Sequence, residues 1–137
     1  MKDFTHPKFP TIHIKLLSNT ENSTELEALL EGSSSSSILD FVPEGSNLDA
    51  KYIYGIFDDA SLIGVIDLIE DYPTKQGAFI HQFLLKEHAT DELAETLYLA
   101  LEKTVQETGI TSLEISSELS EQAIWKTLGF VDNKKAI

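Results

Sequence analysis

The chain has 137 residues and a net charge of −13 with histidine neutral, because 10 lysines stand against 23 aspartates and glutamates. None of its cationic residues is arginine, so the chain lacks the planar side chain that grips a phosphate through paired hydrogen bonds. This acidic protein is therefore a poor partner for nucleic acid and for anionic membrane surfaces.

The length suits a single domain, which we expect to span residues 1–137. The absence of cysteine excludes disulfides, thiolate metal sites and a cysteine nucleophile. The first residues contain no apolar signal-peptide core, and no run approaches the ~18 apolar residues of a membrane helix. His81 and His88 lack the spacing of a helical metal pair. These features predict a cytoplasmic protein without a metal.

The first third of the chain contains one predicted strand and one predicted helix. Residues 11–17 alternate weakly between apolar and polar and predict a strand. Thr24 and Glu27 form a capping box, which predicts a short helix ending at Gly32. Five serines at 33–37 predict a loop, followed by a short turn at residues 38–41.

Three apolar runs in the centre, at 51–57, 62–69 and 78–85, are separated by turn signals and predict an antiparallel meander. The middle run is apolar on both faces, as in a strand that is covered on both sides. Thr90 is the predicted N-cap of a long helix with leucines at four-residue steps, ending before Gly109. The rest predicts a strand at 111–117, a helix from about residue 120 to Gly129, and a last strand starting at 130–131.

This order of elements resembles the GCN5-related N-acetyltransferase (GNAT) superfamily. The matching segments are Leu-Ile-Gly-Val-Ile at 62–66, Ile-Glu-Asp-Tyr-Pro at 69–73, the run at 78–86, and the Leu-Gly-Phe triplet that ends the segment at 124–130. The resemblance covers the chain from residue 51 onward and, more loosely, residues 12–30. It implies an α+β fold in α/β/α layers, with a mixed, mostly antiparallel central sheet flanked by helices.

The resemblance also implies acetyl-CoA as cosubstrate. In GNAT proteins it enters a gap between the two strands that correspond here to 78–85 and 111–117. Its pantetheine arm pairs with the first of these strands, and its diphosphate binds amides at the start of the following helix. Carried over, these contacts fall on Phe83, Leu84 and Leu85 for the arm, and on Thr90, Asp91, Glu92, Leu93 and Ala94 for the diphosphate.

The phosphate loop departs from the family pattern of Gln or Arg, two residues, Gly, one residue, then Gly or Ala. Only Ala94 fits it, and Asp91, Glu92 and Glu95 place three carboxylates in the first turn. Two unit charges ~8 Å apart at an effective dielectric near 40 repel by about 1 kcal/mol. Three carboxylates facing a diphosphate therefore cost a few kcal/mol before salt screening. We expect this cost to lower CoA affinity by roughly ten- to several-hundred-fold. The same carboxylates also have a purely structural explanation, since they stabilise the helix through its dipole.

Two further positions depart from the family. Many members have a tyrosine at position 125, which protonates the departing CoA thiolate, whereas the indole of Trp125 cannot serve as that acid. The alternative is that Trp125 is a large core residue. Glu118 stands where the family often has asparagine.

Acetyl transfer to an amine requires a group that accepts a proton. Glu70 and His81 are the candidates, and Asp71 and Tyr72 lie at the expected substrate entrance. Each has an alternative interpretation: Glu70 and Asp71 as solvated turn residues, and His81 as a hydrogen-bonded residue of the strand wall.

The function implied by the resemblance is acetyl transfer from acetyl-CoA to a primary amine. The negative charge favours a cationic small molecule or a lysine side chain as acceptor. The alternative is a degenerate GNAT domain without acetyl-CoA turnover, acting as a binding or assembly module. The oligomeric state stays open, with a homodimer as one alternative.

Overall fold

The computed structural model describes residues 4–6, 9–16, 51–59, 61–72, 74–85 and 91–137. The predicted helix near residues 24–32, the serine loop, the turn at 38–41 and the capping residue Thr90 lie outside these residues. No helix in the described part of the chain is long and apolar enough to cross a membrane.

The described chain forms seven strands and three helices. In chain order they are β1 (Phe4–His6), β2 (Phe9–Leu16), β3 (Lys51–Asp58), β4 (Ser61–Glu70), β5 (Gly77–Leu85), α1 (Asp91–Glu107), β6 (Ser112–Ile115), α2 (Ser117–Ser120), α3 (Ile124–Thr127) and β7 (Lys134–Ala136). The strands lie side by side in chain order within one sheet. All neighbouring strands are antiparallel except β5 and β6, which are parallel. The mixed, mostly antiparallel sheet predicted from the sequence is confirmed.

The central strands form because their side chains are buried on both faces of the sheet. On the first face, Ile66 and Leu68 of β4 pack with Ile80 of β5 and with Leu97 and Leu101 of α1. On the second face, the apolar cluster consists of Phe57, Leu62 and Val65. Residues of a strand alternate between the two faces of the sheet. The apolar side chains of β4 are therefore buried on both faces, as the sequence predicted.

The long helix follows its predicted bounds. It begins at Asp91, directly after Thr90, and ends at Glu107. Leu97, Leu101 and Val105 are fully buried, as expected for residues that recur on one helix face. Gly109 has a positive φ of 93°, the backbone conformation that glycine adopts without strain after a helix.

Three details differ from the sequence prediction. β1 was not predicted, because a three-residue strand is too short to show periodicity. The predicted helix from about residue 120 to Gly129 is wrong: α2 and α3 are separate single turns, and the amides of Gln122 and Trp125 bond to carbonyls three residues back instead of four. The last strand lies at Lys134–Ala136, and Val131 contributes only an isolated bridge to Lys134.

Candidate functional site

Ionisable side chains from three neighbouring strands contact one another through a single buried carboxylate. The carboxylate of Asp67, in the middle of β4, accepts hydrogen bonds from Lys51 Nζ at 2.6 and 2.7 Å. His81 Nδ1 lies 2.7 Å from Asp67 Oδ2. The side chain of Asp67 is fully buried, while those of Lys51 and His81 are 3% and 13% exposed. We call Lys51, Asp67 and His81 the polar cluster.

The register of the sheet brings these residues together. Asp67 pairs across to Ile53 on β3 and to Gln82 on β5. Between β4 and β5 the register shifts at Asp67, where Leu68 pairs with Ile80 and Asp67 pairs with Gln82. His81 is therefore the extra residue of a β-bulge, which is a common device for re-aiming a side chain.

The contact with Asp67 assigns the donor role to Nδ1 of His81. An ionised carboxylate can only accept hydrogen bonds, so Nδ1 carries a proton and faces Asp67. In the neutral form of the ring, the lone pair is then on Nε2. This is the tautomer in which a histidine accepts a proton through Nε2 while a carboxylate holds the ring in place.

The bulge lies at the point on β5 where its pairing with β6 ends. β6 pairs with β5 only from Gly77 to Ile80, whereas β5 continues to Leu85. Immediately beyond the pairing, the Ser116 hydroxyl donates to the carbonyl of His81 at 3.0 Å and accepts from the amide of Leu119 at 3.3 Å. In the part of the chain that the structure describes, no strand pairs with β5 on that side after Ile80. Among the described residues, β5 is thus unpaired on this side from His81 onward, and we call the space beside this stretch the gap.

The predicted pantetheine-binding residues line this gap. Phe83, Leu84 and Leu85 pair with β4 on one side, and β6 does not reach them on the other. Phe83 is buried, and its ring packs edge-on against Trp125 with centroids 5.7 Å apart. A ligand in the gap would therefore meet the backbone of these residues.

The first turn of α1 contains the predicted diphosphate-binding residues. Asp91, Glu92 and Glu95 are exposed, and Leu93 and Ala94 are half-buried. Thr90 lies outside the described residues. Exposed carboxylates can turn toward solvent, so their positions weaken anion binding at this helix end without blocking it.

Glu70, Asp71 and Tyr72 lie at the opposite end of β5 from α1. Glu70 ends β4 and pairs with Ala78, at the start of β5. Asp71 is exposed and accepts a hydrogen bond from the amide of Gln76 at 3.0 Å, while Tyr72 packs edge-on against Phe79. Strand alternation puts Glu70 and Asp67 on opposite faces of the sheet. The structure therefore brings His81 together with Asp67 and does not bring it together with Glu70.

Trp125 is a core residue, which agrees with the alternative considered from the sequence. It is 3% exposed, it contacts the rings of Phe83, Tyr98 and Phe130 edge-on, and its Nε1 donates to Gln122 at 3.3 Å. Burial, together with the charge of Glu102, raises the pKa of Tyr98 above its ordinary value. A buried phenol with a raised pKa gives up its proton less readily than an ordinary tyrosine.

The sequence prediction missed two members of the polar cluster. Asp67 stands inside the otherwise apolar run at 62–69, and a charge in a fully covered strand requires a partner. The sequence therefore contained a signal that Asp67 has a partner. It did not identify Lys51 and His81 as the partners, because they are 16 and 14 residues away and their contact depends on strand register. Among the described residues, no three metal-ligating side chains come together.

Comparison with known proteins identifies the fold. No family model matches the sequence, and no curated protein matches it significantly. Several solved structures do match in three dimensions. The PaiA N-acetyltransferase of Thermoplasma acidophilum, in complex with coenzyme A, has a TM-score of 0.65 and 19% identity over 92% of this chain and 99% of that chain.

Two other matches are similar in extent. A GNAT family acetyltransferase from Elizabethkingia anophelis with acetyl-CoA bound has a TM-score of 0.65 and 17% identity over 88% of this chain and 76% of its own. An aminoglycoside acetyltransferase from an uncultured soil metagenomic sample has a TM-score of 0.64 and 12% identity over 93% of both chains. The chain therefore has the GNAT acetyltransferase fold.

Proposed function

We propose that the protein is an N-acetyltransferase that moves the acetyl group of acetyl-CoA to a primary amine. The observation that supports this most is the coincidence of two features at one residue. His81 begins the gap between β5 and β6, and the same residue is held by the buried carboxylate of Asp67. The fold is shared with acetyltransferases whose structures contain CoA or acetyl-CoA.

The proposed reaction uses His81 as the proton acceptor. The acceptor ammonium group loses one proton to Nε2 of His81, and its nitrogen attacks the thioester carbonyl. The C–S bond then breaks, and the CoA thiolate takes up the second proton, which the nitrogen loses as the amide forms. Asp67 holds the Nδ1–H side and stabilises the imidazolium that forms. Glu70 is the second candidate for proton acceptance. It lies on the opposite face of the sheet from Asp67, so Glu70 and His81 can be substituted independently.

The acceptor that we propose is a cation: a cationic small molecule or the side chain of a lysine. The chain carries a net charge of −13, which attracts cations from solution. One fold neighbour is an aminoglycoside acetyltransferase, whose name describes a polycationic acceptor. Asp71 and Tyr72, at the end of β4, are the proposed acceptor contacts. Turnover of acidic amines without turnover of cationic ones would contradict this assignment.

Kinetics of matched histidine variants test the proton acceptor. His81→Gln should lower kcat by about 10²- to 10⁴-fold with little change in acetyl-CoA affinity. His13→Gln, at a half-buried position of β2, is the control and should retain activity. If Glu70→Gln abolished turnover and His81→Gln did not, Glu70 would be the base.

A second candidate function is a degenerate GNAT domain that binds or assembles without acetyl-CoA turnover. Two observations favour it: the exposed carboxylates in the first turn of α1, and the core packing of Trp125 where a catalytic tyrosine is common in the family. Calorimetry separates the two functions, because an enzyme must bind acetyl-CoA saturably. Absence of binding at about millimolar acetyl-CoA, an affinity threshold near −4 kcal/mol, would favour the binding module.

The carboxylates can be tested individually. Asp91→Asn should tighten acetyl-CoA binding by roughly two- to fivefold at low salt, and the gain should shrink as salt rises. Glu107→Gln, an exposed residue at the other end of α1, is the matched control and should leave the affinity unchanged.

A further inference from the structure

We propose that a small pocket on the sheet binds a second ammonium group of the acceptor, so that the preferred acceptor is a long diamine. The lining of this pocket includes Gly77 and four polar residues, Thr74, Ser112, Glu114 and Lys134. We call it the ammonium pocket. This inference rests on the proposed function, because it names the acceptor of the same transfer reaction and the residues that select it.

The ammonium pocket exists because Gly77 has no side chain. A methyl group at Gly77 would lie 3.0 Å from Thr74 Oγ1 and 3.1 Å from Ser112 Oγ, and 3.2 Å from the carbonyl oxygen of Thr74. The space above this glycine is therefore bounded by oxygen atoms. The cavity has a volume of about 90 Å³, whereas a single water needs at least ~15 Å³. It has room for the end of an alkylamine and not for a whole acceptor.

The chemistry of the lining favours an ammonium group. Such a group donates three hydrogen bonds and accepts none, and the hydroxyl, carbonyl and carboxylate oxygens of the pocket can all accept. Among the described residues, Glu114 makes its ion pair with Lys134 at 3.7 Å, and the Lys134 side chain is 71% exposed. A charge-assisted hydrogen bond is shorter, at about 2.7–2.9 Å. Because exposed ion pairs contribute little, an incoming ammonium can displace Lys134 from Glu114.

The ammonium pocket and the polar cluster lie on the same face of the sheet. Ser112 and Glu114 of β6 are on the second face, because the residue that follows each of them packs on the first face. Asp67 is on the second face as well, since both of its neighbours on β4 pack on the first, and it contacts His81 there. An acceptor on this face therefore meets both the proposed proton acceptor and the pocket.

Phe79 lies between His81 and the ammonium pocket. It is half-buried and pairs with Glu114 across the two strands, and Tyr72 packs edge-on against its ring. From the spacing of residues along a strand, the α-carbon of His81 is roughly 7 Å from that of Phe79 and roughly 13 Å from that of Gly77. A diamine with one nitrogen at His81 then runs its methylene chain along Phe79. Its second nitrogen reaches the pocket roughly 8–13 Å away.

Kinetics with matched acceptors test the pocket. The acceptors are a linear diamine whose nitrogens are roughly 10 Å apart when extended and the monoamine of the same chain length. The KM of the wild-type protein should be about 10- to 100-fold lower for the diamine, because an ammonium gains charged hydrogen bonds in the pocket. Glu114→Gln should raise the KM for the diamine about tenfold or more and leave that for the monoamine within about twofold.

A second variant tests the competition for Glu114. Lys134→Gln removes the cation that the diamine must displace, so it should lower the KM for the diamine by about two- to fivefold. Lys103→Gln, at an exposed position of α1, is the matched control and should leave this KM unchanged. If Glu114→Gln does not fold, the comparison of the two acceptors in the wild type and in Lys134→Gln decides.

Nuclear magnetic resonance without acetyl-CoA tests the pocket independently of turnover. The diamine should shift the amide resonances of Gly77 and Ser112 saturably, and Glu114→Gln should abolish these shifts. Glu107→Gln removes the same charge at an exposed position of α1 and should preserve them, because general attraction of cations to the acidic chain is not localised.

Equal KM values for the diamine and the monoamine in the wild type would overturn the proposal. An equal rise of both values in Glu114→Gln would also overturn it. Transfer to monoamines with either of these results would leave the proposed function intact and contradict only the pocket. Saturable shifts at Gly77 and Ser112 that Glu114→Gln abolishes, without any turnover, would support the pocket and contradict the proposed function.

Discussion

Replacing Asp67 by asparagine removes the charge at the centre of the polar cluster and leaves its shape intact. Lys51 then loses the carboxylate that accepts its hydrogen bonds at 2.6 and 2.7 Å, while its side chain is only 3% exposed. Breaking a buried ion pair from one side costs about 3–5 kcal/mol. Asparagine still offers one acceptor oxygen, so we expect a loss of about 3 kcal/mol in the free energy of unfolding.

Urea unfolding followed by circular dichroism measures this loss. For a domain of this size, with a slope of about 2 kcal/mol per M, 3 kcal/mol lowers the unfolding midpoint by roughly 1.5 M. The matched control is Asp58→Asn, the same substitution at an exposed position near the end of β3, which should change stability by no more than about 0.5 kcal/mol.

The double variant Lys51→Met/Asp67→Leu separates charge burial from packing. It replaces the ion pair with apolar side chains of similar size and should recover most of the stability lost by Asp67→Asn, because apolar substitutes for buried ion pairs are often neutral or stabilising. The reasoning is refuted if Asp67→Asn unfolds at the same urea concentration as Asp58→Asn. It is also refuted if the double variant is less stable than the single variant.

Three further outcomes are expected. Gly64→Ala should destabilise the protein by about 1–3 kcal/mol in urea, because a methyl group there meets the carbonyl oxygen of Leu84 at 2.6 Å. Since burial raises the pKa of Tyr98, the folded state holds the phenol proton more tightly than the unfolded chain does. The free energy of unfolding should therefore fall as the pH rises above about 10. This fall should be smaller in Tyr98→Phe than in the control Tyr72→Phe. Trp125→Tyr should lower the melting temperature and leave the transfer rate unchanged, and a faster rate would place position 125 beside the thiol.

The sequence predicted the described framework well where local signals are strong. The bounds of β3, β4 and β5 lie within one residue of the predicted runs, because apolar stretches and turn residues mark a meander locally. The segment from about residue 120 to Gly129 was predicted wrongly as one helix. Its backbone bonds to carbonyls three residues back around Gln122, and this tightening leaves little trace in a pattern of apolar residues.

The site was predicted only in part, for a different physical reason. His81 was identified as a candidate from its residue type and position, and it remains a proposal. Its environment depends on a one-residue bulge between β4 and β5, and a shift of one residue turns a side chain to the other face of a sheet. Asp67 carried a usable signal, a charge within an apolar run, whereas Lys51 looked like an ordinary residue at the start of a strand.

The polar cluster bears on the choice between an enzyme and a binding module. Buried ion pairs seldom stabilise a fold more than apolar residues of the same size would, so stability alone gives little reason for three ionisable groups inside the sheet. A binding module would not need a buried carboxylate that holds the imidazole of His81, whereas a base at the mouth of the gap between β5 and β6 would. The acidic first turn of α1 weakens the case for tight CoA binding, but it would act on affinity, whereas the cluster would act on proton transfer. The two features therefore fit an acetyltransferase with weak affinity for its donor better than they fit a domain that has lost its chemistry.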